Sequence, residues 1–265
     1  MPGGFPLGED YCNAQDIGSN LTNGGTSVTG AAGAYGSWTQ IISATAYDID
    51  WLDIYVVNTT GGGIRTQCDI GIGAAASEVV IANALFNSTG SVFPPSIYRA
   101  PLSIPAGSRI AARTYNSGGT SASYVALTGY SGAFTQMDGC AGLDAIGISG
   151  TAPTAVASSG SNATKGSWVQ LTASTSRDYM GLIFGGYASA VAGAFCGDIG
   201  IGGSGSEQII VPNLQIPAVG VGGNIYGICS PYFVAIPAGT RIAARVSVGT
   251  GAAKTANLCC YGIYQ

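Results

Sequence analysis

Short apolar runs of period two, broken by Gly, Pro, Asn and Ser, fill the chain, and no stretch shows helical spacing. Trp38–Thr45, Asp50–Asn58, Ile64–Gly73, Ser77–Leu85, Ser108–Tyr115 and Ser123–Tyr130 are read as β-strands. In each, β-branched and aromatic residues alternate with polar ones or run on continuously, and turn residues bound the run. Between Arg109 and Arg113 the two-residue period sets Arg109, Ala111 and Arg113 on one face and turns Ile110 and Ala112 toward a core.

The pattern also repeats. GSW at Gly36–Trp38 returns at Gly166–Trp168, and DIGIG at Asp69–Gly73 returns at Asp198–Gly202, trailed by Ser77-Glu78 and Ser206-Glu207. IPAGSRIAAR, Ile104–Arg113, returns as IPAGTRIAAR, Ile236–Arg245, and Asn83 aligns with Asn213 ahead of Leu85 and Leu214. Three blocks in one order at nearly constant offset mean a duplication, and two copies are too few for a solenoid. The fold expected is all-β: two tandem β-sandwich, jelly-roll-like domains preceded by an extended N-terminal arm, with an immunoglobulin-type sandwich as the alternative topology. The arm is residues 1–30, the first sandwich 31–136, a Gly/Ser/Thr/Ala-rich linker and entry to the second copy 137–165, and the second sandwich 166–265. Trp38 and Trp168 open matched strands and are read as core residues.

Composition narrows the functional classes. Charged residues are 8% of the chain, against about 25% in an ordinary soluble domain, while glycine numbers 43. The surface is therefore Ser, Thr, Asn, Gly and Tyr, as in proteins that pack against their own copies. With a net charge of −4 and no basic cluster, phosphate neutralisation and hence nucleic-acid binding are not expected. No segment is long and apolar enough to span a membrane, and MPGGFPLGEDYCNAQ lacks the features of a signal peptide, so exit from the cell is expected by lysis.

The chain has no histidine, which removes Ser-His-Asp and Cys-His chemistry. Lys165 and Lys254 sit in loop-like stretches, leaving a Ser-Lys pair only formally available. The carboxylates Asp48, Asp50, Asp53, Asp69 and Glu78, three of them repeated as Asp178, Asp198 and Glu207, could serve a glycosidase or calcium. Recurrence in both copies favours structural ion pairs instead, of Asp69 and Glu78 with Arg109 and Arg113, and of Asp198 and Glu207 with Arg241 and Arg245. The expectation is thus no enzyme, no catalytic residue, no cofactor and no metal site.

The seven cysteines, Cys12, Cys68, Cys140, Cys196, Cys229, Cys259 and Cys260, show no CxxC spacing. Disulfides and buried thiols in a reducing compartment both remain open. An interchain bond would use Cys12 or Cys140, outside the expected cores, and adjacent Cys259 and Cys260 point to opposite faces of a strand.

The blocks GSW, DIGIG with Ser-Glu downstream, and IPAG(S/T)RIAAR resemble those of structural proteins of tailed bacteriophage virions. The resemblance implies a capsid decoration or cement protein that binds and stabilises the major capsid lattice, or a tail-associated protein. Its partners would be the major capsid protein or other virion proteins. A homo-oligomer is implied, with a trimer favoured because three chains present six like domains. Its location would be the virion, after synthesis in the host cytoplasm and release by lysis. The alternative is a surface carbohydrate-binding module with two glycan-recognising sandwiches, for which Tyr226–Tyr232 is an aromatic candidate.

Overall fold

The computed structural model describes residues 13–19, 24–58, 65–88, 96–131, 140–150, 152–188, 195–216, 228–229, 231–249 and 252–265. The first half holds β1 (Asn13–Ile17), β2 (Thr26–Ala32), β3 (Thr39–Ile42), β4 (Trp51–Asn58), β5 (Arg65–Ile72), β6 (Val79–Ser88), β7 (Ser96–Ala100), β8 (Ile110–Asn116) and β9 (Ser121–Ser131). There follow β10 (Gly142–Ile146), β11 (Ile148–Ser149), β12 (Ala152–Ala157), β13 (Val169–Thr172), β14 (Tyr179–Ala188) and β15 (Phe195–Ile201). The last strands are β16 (Gln208–Ile216), β17 (Ile228–Cys229), β18 (Tyr232–Ile236), β19 (Ile242–Val248) and β20 (Thr255–Tyr264). The protein is all-β, with no helix among the described residues.

The pairing is built twice. In the first half β9 takes β4 on one side and both β1 and β2 on the other, and β4 pairs onward with β7. A second run goes β3, β8, β5, β6. In the second half β20 likewise takes β14 on one side and β10 and β12 on the other, β14 continues to β18, and β13, β19, β15 and β16 form a separate four-stranded sheet. Register repeats as well: Asp69 lies opposite Arg113 and Asp198 opposite Arg245.

Two segments differ from their sequence reading. Within the segment read as linker and entry to the second copy, residues 142–146, 148–149 and 152–157 form β10, β11 and β12. β20 would otherwise leave one edge of backbone donors and acceptors unpaired inside the protein; β10 pairs along its C-terminal half and β12, with small Thr154, Ala155, Val156 and Ala157, along its N-terminal half. The described part of the N-terminal arm is likewise sheet: β1 and β2 lie against β9, with Ile17 and Val28 fully buried. Residues 1–12 lie outside the described residues.

The halves are fused rather than merely strung together. β10 pairs parallel with β6 through Leu143 and Ala82, and β17 pairs parallel with β7 through Ile228–Cys229 and Ile97–Tyr98. Alternate residues of β20 enter different cores. Cys259, Tyr261 and Ile263 join the first-half cluster around Leu85, Phe86 and Tyr98, while Leu258 and Cys260 join the second around Phe195, Ile199 and Val246. β20 is therefore buried on both faces, which explains its unbroken LCCYGI, whereas its counterpart β9 keeps partly exposed Tyr124 and Thr128 between buried neighbours.

One sequence match shifts by a residue. Asp69 Oδ1 accepts the Ala84 N–H at 2.8 Å, and Asp198 Oδ1 accepts the Asn213 N–H at 3.0 Å. The counterpart of Asn213 is thus Ala84, not Asn83, whose Oδ1 accepts from the Ala145 N–H. Both positions have left-handed backbone, φ 48° at Ala84 and 53° at Asn213, beside irregularities in the ladders. Asparagine tolerates this region and alanine does not. Ala84→Asn is expected to raise stability by about 0.5–1 kcal/mol, read as a higher urea midpoint at unchanged slope; a lower midpoint would refute the account.

Candidate functional site

The charged residues singled out in the sequence lie in two matched clusters on the outward face of β5 and β8 and of β15 and β19. In the first, Arg109 Nη1 donates to Glu78 at 2.8 Å and to the Gly73 carbonyl at 3.0 Å, and its Nε donates to Gln40 at 3.0 Å. Arg241 repeats this with Glu207 at 2.9 Å, the Gly202 carbonyl at 3.1 Å and Gln170 at 3.1 Å. Arg113 pairs with Asp69 at 2.8 Å and Arg245 with Asp198 at 2.9 Å. The guanidiniums of Arg113 and Arg245 lie 4.7 and 4.6 Å from the ring centres of Trp38 and Trp168.

The tryptophans are consequently not core residues. Each is half-buried on the outer face, where its ring covers a glycine of the DIGIG strand and is covered in turn by arginine. A β-carbon at Gly71 would stand 2.8 Å from the Trp38 ring, and one at Gly200 2.9 Å from that of Trp168, so both positions exclude any larger residue.

The remaining carboxylates are also bonded within the fold. Asp48 and Asp178 each accept a backbone N–H of the IPAG turn, from Ala106 and Ala238, at 2.7 Å. Thr45 and Thr175 brace the same turn by donating to the carbonyls of Pro105 and Pro237 at 3.0 and 2.7 Å. Asp53 receives two hydrogen bonds from Arg99, at 2.8 and 2.7 Å. Gln40, Gln170, Thr45 and Thr175 were missed in the sequence, although each recurs at a constant distance from its Trp. Among the described residues no group of three or more His, Cys, Asp or Glu is placed to hold a metal ion.

The two clusters differ at one position. In the first, Tyr35 donates to Asp69 and lies under Arg113, and burial together with the carboxylate pushes its phenol far up. In the second, Lys165 takes this place, donating to Asp198 at 3.0 Å and to the Cys196 carbonyl at 2.9 Å. Lys165 is thus held in the cluster rather than free in a loop.

Cys68, Cys140, Cys196, Cys259 and Cys260 are thiols, and Cys12 and the side chain of Cys229 lie outside the described residues. Burial raises the thiols of Cys68 and Cys260 well above the ordinary range. Cys140 is buried in the first core with its sulfur 3.2 Å from that of Met180, which removes it as an interchain bridge.

Burial works against the Asp198 carboxylate, but the Asn213 N–H, Lys165 and Arg245 outweigh it and lower the pKa. A depressed native pKa means that the stabilisation is complete above the unfolded value, near pH 4, and is lost as pH falls through the native one. Urea midpoints are expected to fall steadily below about pH 5, with a shallower fall in Asp198→Asn. Identical slopes in the two proteins would exclude the cluster as the acid-sensitive element.

Beside the first cluster an open groove of about 550 Å³ runs between the hairpin after β5 and the IPAG turn, lined by Ile72, Val79, Pro105, Gly107 and Arg109. Val79 is 65% exposed at its rim.

No family model matches the chain, and no curated protein matches it. Among solved structures it is similar to PNGase F, a glycosylasparaginase from Flavobacterium meningosepticum, at 10% identity over 94% of this chain and 96% of that one, with a TM-score of 0.37. It is also similar to a structure of infectious bursal disease virus, Gt strain, at 13% identity over 100% and 74%, with a TM-score of 0.27. A third is a fucolectin from striped bass serum, at 13% identity over 95% and 96%, with a TM-score of 0.20.

An enzyme therefore stands among the structures resembling the chain along nearly its whole length, which overturns the expectation that nothing in it is enzyme-like. Similarity of this size transfers no reaction and no catalytic residue. What the residues themselves offer is a pair of rigid, charge-satisfied faces, one bordered by an apolar groove.

Proposed function

We propose that the protein is a structural component of a tailed-bacteriophage virion, most simply a capsid decoration or cement protein. It is read as two jelly-roll-like sandwiches, whose strand orders are β2–β9–β4–β7 over β3–β8–β5–β6 and their second-half equivalents. The observation that carries this reading is the duplicated cluster. Both copies bond the same acids and arginines inside the fold, and an uncharged residue stands exposed beside each cluster at non-equivalent places, Val79 at 65% in the first and Ile209, one position further along, at 42% in the second. Surfaces of this kind suit burial against neighbouring subunits, because little charge must be desolvated on docking. Three chains in a homotrimer would present six such faces to a lattice of major capsid protein. Synthesis in the host cytoplasm and release by lysis in the virion belong to the same reading.

Cryo-electron microscopy of the source particle tests it. Paired β-rich lobes at fixed lattice positions, fitted by this chain, are the expected result; absence of the chain from the purified particle would reject the proposal.

A second reading rests on β18. Tyr232 and Phe233 are 43% and 54% exposed on this uncharged strand, each an aromatic ring on which a sugar can stack. Binding on a glycan array that disappears in the Tyr232→Ala, Phe233→Ala double variant would favour a carbohydrate-binding module; no binding by the unaltered protein would dismiss it.

A further inference from the structure

The second cluster brings two nucleophiles together. Cys196 Sγ stands 3.5 Å from Lys165 Nζ, with Asn213 Oδ1 at 3.4 Å and Gln215 Nε2 at 3.6 Å from the same sulfur. The lysine has little freedom: its amine is fixed by Asp198 and by the Cys196 carbonyl. The cysteine is partly exposed, unlike buried Cys68, Cys140, Cys259 and Cys260, so a small oxidant can reach it.

Comparison with the first copy shows that this pair is a paired departure from the shared plan. With Asp69 matched to Asp198, Gln67 occupies the place of Cys196, and Tyr35 that of Lys165. Gln67 donates to the Gly150 carbonyl at 2.9 Å, and Tyr35 donates to Asp69. Around these two positions the acid, arginine, tryptophan and glycine are retained. Both residues of the one contact have changed, to the two side chains that can be joined by oxidation.

We propose that Lys165 and Cys196 form a covalent nitrogen–oxygen–sulfur bridge when the protein meets a peroxide. One hydrogen peroxide oxidises the Cys196 thiol to the sulfenic acid and leaves as water. The lysine ammonium gives one proton to solvent, which frees its electron pair, while the Asp198 carboxylate, 3.0 Å from Nζ, holds the amine beside the sulfur. A second peroxide accepts the two electrons and two hydrogens lost as the Nζ–O bond closes, giving two further waters. The product has gained one oxygen and lost two hydrogens, and no sulfur–sulfur bond is needed. The bridge ties the segment before β13 to β15, and so fixes the second half from outside its core.

Treatment of the purified full-length protein with hydrogen peroxide, then digestion without reductant and tandem mass spectrometry, tests this. The expected product is a linked pair of peptides carrying residues 165 and 196, with that mass change, reversed by a thiol reductant and absent when the chain is unfolded in urea before oxidation. In Lys165→Arg, which keeps a cation beside Asp198, the link is expected to vanish and Cys196 to proceed to sulfinic acid. The proposal is overturned if unaltered protein yields Cys196 sulfenic or sulfinic acid with Lys165 unmodified, a direct sulfur–nitrogen link without oxygen, or no oxidation at Cys196.

Discussion

Asp69→Ala is expected to destabilise the protein by about 3–5 kcal/mol. Its carboxylate holds Arg113 at 2.8 Å and the Ala84 N–H at 2.8 Å, and it accepts from Tyr35 as well. Removal leaves Arg113 without its counter-charge over Trp38, and a backbone donor stranded in left-handed backbone. The buried side is what makes the cost large, because the Asp69 side chain is 3% exposed while Arg113 is 31% exposed. Asp53→Ala, which loses Arg99 and the Tyr130 hydroxyl but, among the described residues, no backbone N–H, should cost less. Urea unfolding at pH 7 measures both; a loss under about 1 kcal/mol for Asp69→Ala would show that its network is only surface pairing.

The other large effect concerns the seam between the halves. Tyr261 is fully buried, its hydroxyl donates to the Ala84 carbonyl at 3.1 Å and accepts the Phe86 N–H at 2.8 Å, and its ring stands edge-on to Tyr98 at 5.2 Å. Tyr98 completes the knot by donating to the Phe86 carbonyl at 2.5 Å. Tyr261→Phe strands a donor in dry surroundings and is expected to cost about 1–3 kcal/mol. Tyr261→Ala also opens a cavity and should cost about 3–5 kcal/mol. Thr128, at the matching place on β9, is only half-buried, and Thr128→Ala should stay within about 0.5 kcal/mol. Equal effects of Tyr261→Ala and Thr128→Ala would show that the seam contributes nothing.

The parts of the fold most legible in the sequence were those carried by period-two patterning over several residues. Ile110 and Ala112 are fully buried, and so is Ala111 between the two arginines. The expected outward alternation fails at Ala111 because the outer face is itself covered locally: Trp38 lies over its neighbour Gly71, and a small side chain beneath such a lid has no route to water. Strands with weak patterns escaped notice. β7, β10 and β12 are only five or six residues long, β12 is half Ala, and they are strands because a neighbour offers an unpaired edge, not because their own residues demand it.

The acids and arginines of the candidate site were found because they recur. Which acid meets which arginine was open until register placed Asp69 opposite Arg113 and Asp198 opposite Arg245. The contact between Lys165 and Cys196 left no local signal, since its members are far apart in the chain and only the approach of the segment before β13 to β15 joins them.

By itself, then, the sequence determined an all-β chain, its internal duplication and the charged residues that each copy retains, because these depend on local periodicity and on identity between the halves. Only the tertiary structure decided that the halves share a sheet, that β20 serves two cores, and that the tryptophans lie outside under arginine. Periodicity assigns a residue to a face of its strand, but what covers that face is set by segments distant in sequence.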